Sequence, residues 1–233
     1  MSYVLHYAPD NASLIIRLAL EQLGVPYETV LVDRSAQEQS GAAYRALNPN
    51  GLIPTLETPQ GPIFETGAIL LWLADRHGGM GPSVDNPERA DFLKWLFFLA
   101  NTVHPALRMI FYPDKYIGAD AAHQAALRLG LQKALHGHFG VLNDLVSQRP
   151  TWAANQRPSV FDFYLCGVLR WPAIYPADQD RSWFKLATYP ALHDLCAHIQ
   201  TLPACACLQS EDGLGTHPFT DPVPANPKIG SAT

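Results

Sequence analysis

Apolar residues in the first eighty positions follow two periods, one of two residues and one near 3.6. Tyr3-Val4-Leu5-His6-Tyr7 alternates and predicts a strand, which Ala8-Pro9-Asp10-Asn11 breaks. From Ala12 or Ser13 to Leu23, the apolar positions Leu14, Ile15, Leu18, Ala19 and Leu23 fall at helical spacing, and Gly24 stops the helix. After Pro26, Tyr27 to Val32 alternates as a second strand. Residues 33–47 are polar, with one short helix expected over Gly41 to Leu47.

Shorter elements follow. Asn48-Pro49-Asn50-Gly51 reads as a loop, Pro54 to Glu57 as a strand, Thr58-Pro59-Gln60-Gly61 as a turn, and Pro62-Ile63-Phe64 as a strand. A helix from Thr66 to Arg76 is apolar at Ala68, Ile69, Leu71, Trp72 and Leu73, and Gly78-Gly79 end it. The order β-α-β-α-β-β-α implies a parallel pair, then an antiparallel hairpin, which is the thioredoxin-like arrangement. Pro54 has no N–H, so at the mouth of a strand it frees the backbone of Ile53 for another partner. Glu65-Thr66 stands where a helix begins. With Thr66 as the expected N-cap, the free N–H groups there favour a carboxylate. A carboxylate beside an anion-binding helix start suits the zwitterionic head of an amino acid.

Beyond Gly78-Gly79-Met80-Gly81-Pro82-Ser83 the pattern becomes helical throughout. A long helix starts at Pro87 and carries Phe92, Leu93, Leu96, Phe97, Leu99 and Ala100, and His104-Pro105 is expected to kink or end it. A second, from about Asp120 to Ser147, has Ala125, Leu129, Leu131, Leu135, Phe139, Leu142 and Leu145 as its apolar stripe. Ser159 and Asp162 open a third with a capping-box pattern, and Tyr189-Pro190 starts another that ends near Leu202-Pro203. The expected division is a first domain over 1–79, an all-helical domain over 86–208 and a tail over 209–233. That tail, rich in Gly and Pro, either drapes over the first domain or is disordered.

A net charge of −5 with no basic block argues against nucleic acid. The N-terminus lacks the regions of a signal peptide and no apolar run is long enough to span a bilayer, so a cytoplasmic protein is expected. Cys166, Cys196, Cys205 and Cys207 then read as free thiols, and Cys205-Ala206-Cys207 lacks the two-residue spacing of a redox or zinc pair. His136-Gly137-His138 does not put both rings on one helical face, so no metal is expected.

Leu52-Ile53-Pro54-Thr55-Leu56, followed by Phe64-Glu65-Thr66-Gly67-Ala68-Ile69-Leu70, resembles the glutathione site of the cytosolic glutathione transferase family. The resemblance implies a thioredoxin-like α/β domain followed by an all-α domain, glutathione as co-substrate and a homodimer. It also implies a cis proline at Pro54, pairing of the Ile53 backbone with the cysteinyl unit, and a γ-glutamyl end held by Glu65 and Thr66. Ser159 and Asp162 match a family motif whose implied role is folding. Tyr7 to Leu14 resembles the bacterial beta class, but that class's catalytic cysteine falls on Ala12, and the serine used by the theta and tau classes falls near Asp10. His104, with Trp95 upstream, matches a beta-class histidine near the glutathione sulfur. Phe111, Tyr112, Trp171 and Tyr7 are candidates for the second-substrate pocket.

Activating the thiol makes a modest demand. Lowering a pKa of about 8.5 by about two units takes roughly 2.7 kcal/mol. One donor to a thiolate supplies about 1.5–3 kcal/mol, and a helix N-terminus up to about 2 more. Ser13 and Asn11 are the catalytic candidates, with Tyr7 behind them. The expected activity is conjugation of glutathione to small, largely apolar electrophiles. Reduction of disulfides or peroxides, and glutathione or ligand binding without turnover, are the alternatives.

Overall fold

The computed structural model describes residues 2–154 and 157–231. Strand β1 (Tyr3–Tyr7) leads through the first loop into helix α1 (Ser13–Leu23) and then β2 (Tyr27–Leu31), which pairs with β1 in parallel, Leu5 opposite Thr29. Helix α2 (Ala42–Leu47) precedes the hairpin β3 (Thr55–Thr58) and β4 (Gly61–Phe64), and α3 (Thr66–His77) closes the unit. The sheet order is β2-β1-β3-β4, with β3 antiparallel to both of its neighbours. This is the thioredoxin-like arrangement that the alternation and the helical spacing imply. At the end of α1, Gly24 takes φ 62° and its N–H bonds the Glu21 carbonyl 3.1 Å away, a left-handed cap that glycine enters without a Cβ penalty.

The remaining ordered elements are helical: α4 (Arg89–Phe98), α5 (His104–Phe111), α6 (Asp114–Ile117), α7 (Ala121–Ser147), α8 (Val160–Ile174), α9 (Pro190–Ile199) and α10 (Cys205–Ser210). Helix α8 is apolar nearly all round and buried along its length, which places it at the centre of the molecule. It packs against α1, and Gly167 sets how close: a Cβ there would lie 2.6 Å from Ile15 Cγ1. A capping box holds its start. Asp162 accepts from the Ser159 N–H at 2.8 Å and the Ala154 N–H at 3.0 Å, and burial pushes its carboxyl up to about 6.

Several expectations need correction. His104-Pro105 neither ends nor breaks the helix. Residues 99–103 widen into a π-turn in which the His104 N–H reaches back to the Leu99 carbonyl, so α4 runs on into α5. Pro105 has no N–H and its ring would strike the carbonyl four residues back, and the wider turn gives it room. Leu129, assigned to the buried stripe of α7, is 70% exposed. The tail is ordered against the body: Leu214 and Phe219 are buried, and Asp212 pairs with buried Arg17 of α1. The four cysteines are free thiols, and Cys166 and Cys196 touch at 3.7 Å inside the α8–α9 contact.

Candidate functional site

Five segments close on a cleft of about 730 Å³ between the sheet unit and the helices. The first loop contributes Asp10, Asn11 and Ala12, and the α2–β3 loop contributes Leu52, Ile53 and Pro54. Glu65 and Thr66 come from the start of α3, and His104, Arg108, Phe111, Tyr112 and Lys115 from α5 and α6. Tyr164 and Trp171 of α8, with Tyr175 just beyond it, form the back wall.

The loop before β3 is pinned from one side only. The Tyr44 hydroxyl and the Asn48 amide both donate to the Leu52 carbonyl at 2.7 Å, and the Ile53–Pro54 peptide is cis. No hydrogen bond among the described residues uses the Ile53 main chain, so its N–H and C=O are left for a ligand. Beside it, Glu65 has φ 72°, and its carbonyl accepts the first helical bond from the Ile69 N–H at 3.0 Å. Glu65 is therefore the N-cap and Thr66 the first helical residue, one place later than the preference for a hydroxyl cap suggests. The Glu65 side chain makes no capping bond, and Thr66 stands in the first turn beside the free N–H groups of α3. A non-glycine residue held at positive φ costs about 1–3 kcal/mol and is characteristic of ligand-holding positions.

Asp10 and Asn11 divide the first loop between structure and access. Asp10, at φ 49°, is buried and receives a bidentate ion pair from Arg170 of α8, Nε to Oδ1 at 2.8 Å and Nη2 to Oδ2 at 2.9 Å. Trp171 Nε1 and the Tyr175 hydroxyl also donate to it, at 3.3 and 2.9 Å. The remaining donors of Arg170 go to the tail carbonyls of Pro218 and Val223, each at 2.8 Å. Asn11 faces the cleft, and its Oδ1 is buried with no hydrogen-bond partner. Such an atom costs about 1–3 kcal/mol unless a ligand or water meets it.

The two other first-loop candidates lie elsewhere. The Ser13 hydroxyl donates to the Ala8 carbonyl at 3.0 Å and accepts the Ala8 N–H at 3.3 Å, so it ties the loop together and does not line the cleft. Tyr7 is buried under the Arg17 guanidinium, 4.6 Å from its ring centroid, and does not line the cleft either. Neither residue caps α1, whose N-cap is Ala12.

His104 does face the cleft, although Trp95 is not its neighbour. Trp95 packs edge-on to Phe98 with Lys94 over its face, and the indole beside His104 is Trp171, ring centroids 5.3 Å apart. His104 Nδ1 bonds the Tyr164 hydroxyl at 2.9 Å. Burial, with Arg108 adding to it, pushes the imidazole down to about 4, so it is neutral at pH 7. Burial, then the charge of Glu65, raises Tyr164 far above the usual phenol range and keeps it a donor. The neutral ring and the phenol share one hydrogen bond in which either group can donate. The Tyr164 partnership and the Asp10–Arg170 clamp have no local sequence signal beyond one charge inside the apolar run of α8.

The geometry can now be set beside known proteins. Residues 12–76 match the family model described as the N-terminal domain of glutathione S-transferase. The chain is 30% identical over 178 residues to the uncharacterized GST-like protein YncG of Escherichia coli strain K12, covering 75% of this chain and 84% of that one. It is 28% identical over 207 residues to the disulfide-bond oxidoreductase YfcG of the same strain, covering 86% and 91%. A sphingomonad glutathione S-transferase solved in complex with glutathione superposes with a TM-score of 0.72 at 27% identity, over 88% of this chain and 96% of the other. Among the described residues no helix is long and apolar enough to cross a membrane. With the sheet order, the cis proline ahead of β3 and the acid–hydroxyl pair at the start of α3 all in place, the chain belongs to the glutathione S-transferase family.

Proposed function

We propose that this enzyme binds glutathione across the cleft and transfers its thiolate to a small electrophile with a largely apolar body. In this reading Glu65 receives the α-ammonium of the γ-glutamyl unit, while Thr66 and the start of α3 receive its carboxylate. The Ile53 main chain pairs with the cysteinyl unit, and the sulfur lies by the start of α1. One observation carries the reading: the unpaired Ile53 main chain, Thr66 in the first turn of α3 and the unpartnered Asn11 amide oxygen all open on one cleft. Of the three, the Asn11 oxygen is the buried one, and such an atom is costly unless a ligand or water of matching polarity meets it.

Asn11 is the donor we assign to the thiolate. Asn11 lines the cleft, so its amide NH₂ can reach the sulfur, and the start of α1 adds its dipole. Ser13 then keeps the loop in shape through Ala8. Neutral His104, which also lines the cleft, is a second candidate donor.

The test is glutathione titration by calorimetry, followed by the ultraviolet absorbance of the bound thiolate against pH. Wild type should show a thiol pKa well under about 8.5. Asn11→Ala should raise it by one to two units, for the loss of about 1.5–3 kcal/mol, while the affinity for S-methylglutathione holds. An unchanged titration in Asn11→Ala would remove Asn11 from this role. Absence of glutathione binding would remove the whole reading. The 28% identity to a disulfide-bond oxidoreductase over 86% of the chain favours one second reading, in which the electrophile is the sulfur of a disulfide. Parallel assays with an aryl halide and with a glutathione mixed disulfide separate the two.

A further inference from the structure

The side of the cleft formed by α5, α6 and the loop after β2 is cationic, and no carboxylate answers it. Tyr112 lies at its centre. Arg34 Nη2 donates to its hydroxyl at 3.1 Å, Lys115 Nζ lies 4.5 Å from its ring centroid, and Arg108 Cζ lies 6.0 Å from it. Arg108 also donates to the Tyr116 hydroxyl. Among the described residues, none of Arg34, Arg108 and Lys115 makes an ion pair. Two carboxylates line the same cleft. Asp10 is held by Arg170, and Glu65 stands at the far end, at the start of α3.

Three cations drawn together around one phenol raise the local positive potential, which favours an anion sharing the space. Next to them the cleft is aromatic: Phe111 and Tyr175 meet at 6.3 Å, and Trp171 lies beyond. An aromatic-walled pocket bordered by guanidinium and ammonium groups is complementary to a ring bearing an acid. Guanidinium groups receive a carboxylate through two parallel hydrogen bonds, and a lysine adds a mobile point charge.

We propose that the second substrate of this enzyme is a planar aromatic electrophile bearing a carboxylate, which Arg34, Arg108 and Lys115 receive while Phe111, Trp171 and Tyr175 hold the ring. The inference rests on the glutathione reading given above and adds the chemical class of the partner. The same cations also suit the glycine carboxylate of glutathione, so the experiment must separate the two sources.

Calorimetry with two stable product analogues does so: S-benzylglutathione, and S-(4-carboxybenzyl)glutathione, which differs only by the added acid. The carboxylated conjugate should bind about tenfold tighter at low salt. That ratio should shrink as ionic strength rises, because these side chains are partly open to solvent. In R108Q/K115Q it should fall to about one. Equal binding of the two conjugates by wild type overturns the acid-bearing substrate and leaves glutathione binding intact. Failure of both conjugates to bind overturns both readings. A ratio that survives in R108Q/K115Q, or that salt does not change, overturns the assignment to these cations. Equal losses for both conjugates in R108Q/K115Q, with the tenfold ratio preserved, would assign the cations to glutathione itself and overturn the proposal.

Discussion

Replacing Arg170 by methionine is the sharpest test of how the first loop is held. Both partners of the Asp10–Arg170 pair are buried, and the guanidinium also serves two main-chain carbonyls of the tail. Removing one member of a buried pair costs about 3–5 kcal/mol, because the remaining charge stays desolvated. The carbonyls of Pro218 and Val223 lose charge-assisted bonds as well, but one lies at a part-buried position where water can replace the donor. Trp171 and Tyr175 still donate to Asp10 and offset part of the loss. The expected cost is about 4–6 kcal/mol, a large share of the roughly 5–15 kcal/mol that stabilises a domain. Urea unfolding at pH 7, followed by far-ultraviolet circular dichroism at fixed protein concentration, measures it. Asp10→Asn completes the cycle, since asparagine tolerates the left-handed backbone at this position. The double variant should lose less than the sum of the singles, by about 2 kcal/mol or more. Additivity within about 0.5 kcal/mol, or a loss under about 1 kcal/mol for Arg170→Met, would refute the clamp.

Three further outcomes are expected. His104 takes up its proton near 4 when folded and near 6.5 when unfolded, so the stability it contributes is complete above pH 6.5 and drains away as the pH falls toward 4. The unfolding free energy of His104→Gln should therefore gain on wild type by up to about 3 kcal/mol across that window, and the imidazole resonances should titrate well below 6.5. A gap that does not change with pH would show that the ring is not desolvated. Gly167→Ala should cost about 1–3 kcal/mol in urea unfolding, because the new methyl meets Ile15 Cγ1 at 2.6 Å. Ile15→Val removes Cδ1, 2.7 Å from the same methyl, and should recover part of that loss, and independent effects would mean that the helices simply part. Asp212→Asn leaves buried Arg17 without its carboxylate and should cost about 2–4 kcal/mol, read as a shift in the urea midpoint.

Much of this was legible from one-dimensional pattern. The element order of the sheet unit follows from alternation and helical spacing, although β1 is buried on both faces and β2 carries exposed residues side by side. The local geometry at Pro54 and at Glu65-Thr66 was readable for a similar reason. A proline before a strand and an acid before a helix carry their geometry within a few positions. Side-chain direction was less legible. Ser13 is as good a donor as Asn11 in composition, but its hydroxyl is taken up by Ala8, and only the turn of the loop decides that. The placement of Thr66 missed by one residue because Glu65 enters the left-handed region, a choice set by the strand-to-helix corner and not by capping preference. The cationic wall around Tyr112 was invisible, since it joins the loop after β2 to α5 and α6 across more than seventy positions. For Arg170 there was a weak signal, the one cation in a helix whose other charge is the capping Asp162, but nothing in the sequence pointed to Asp10 as its partner.

That partnership has a consequence for how the molecule is made. Asp10 emerges from the ribosome 160 residues before Arg170, and Val223 follows another 53 later. At about 5–20 residues per second, the first carboxylate waits roughly 8–32 s for its guanidinium. During that interval the nascent sheet unit can gather its own core, while the loop between β1 and α1 stays hydrated and unset. That corner of the cleft, though synthesised well before α8, is among the last parts of the protein to take shape.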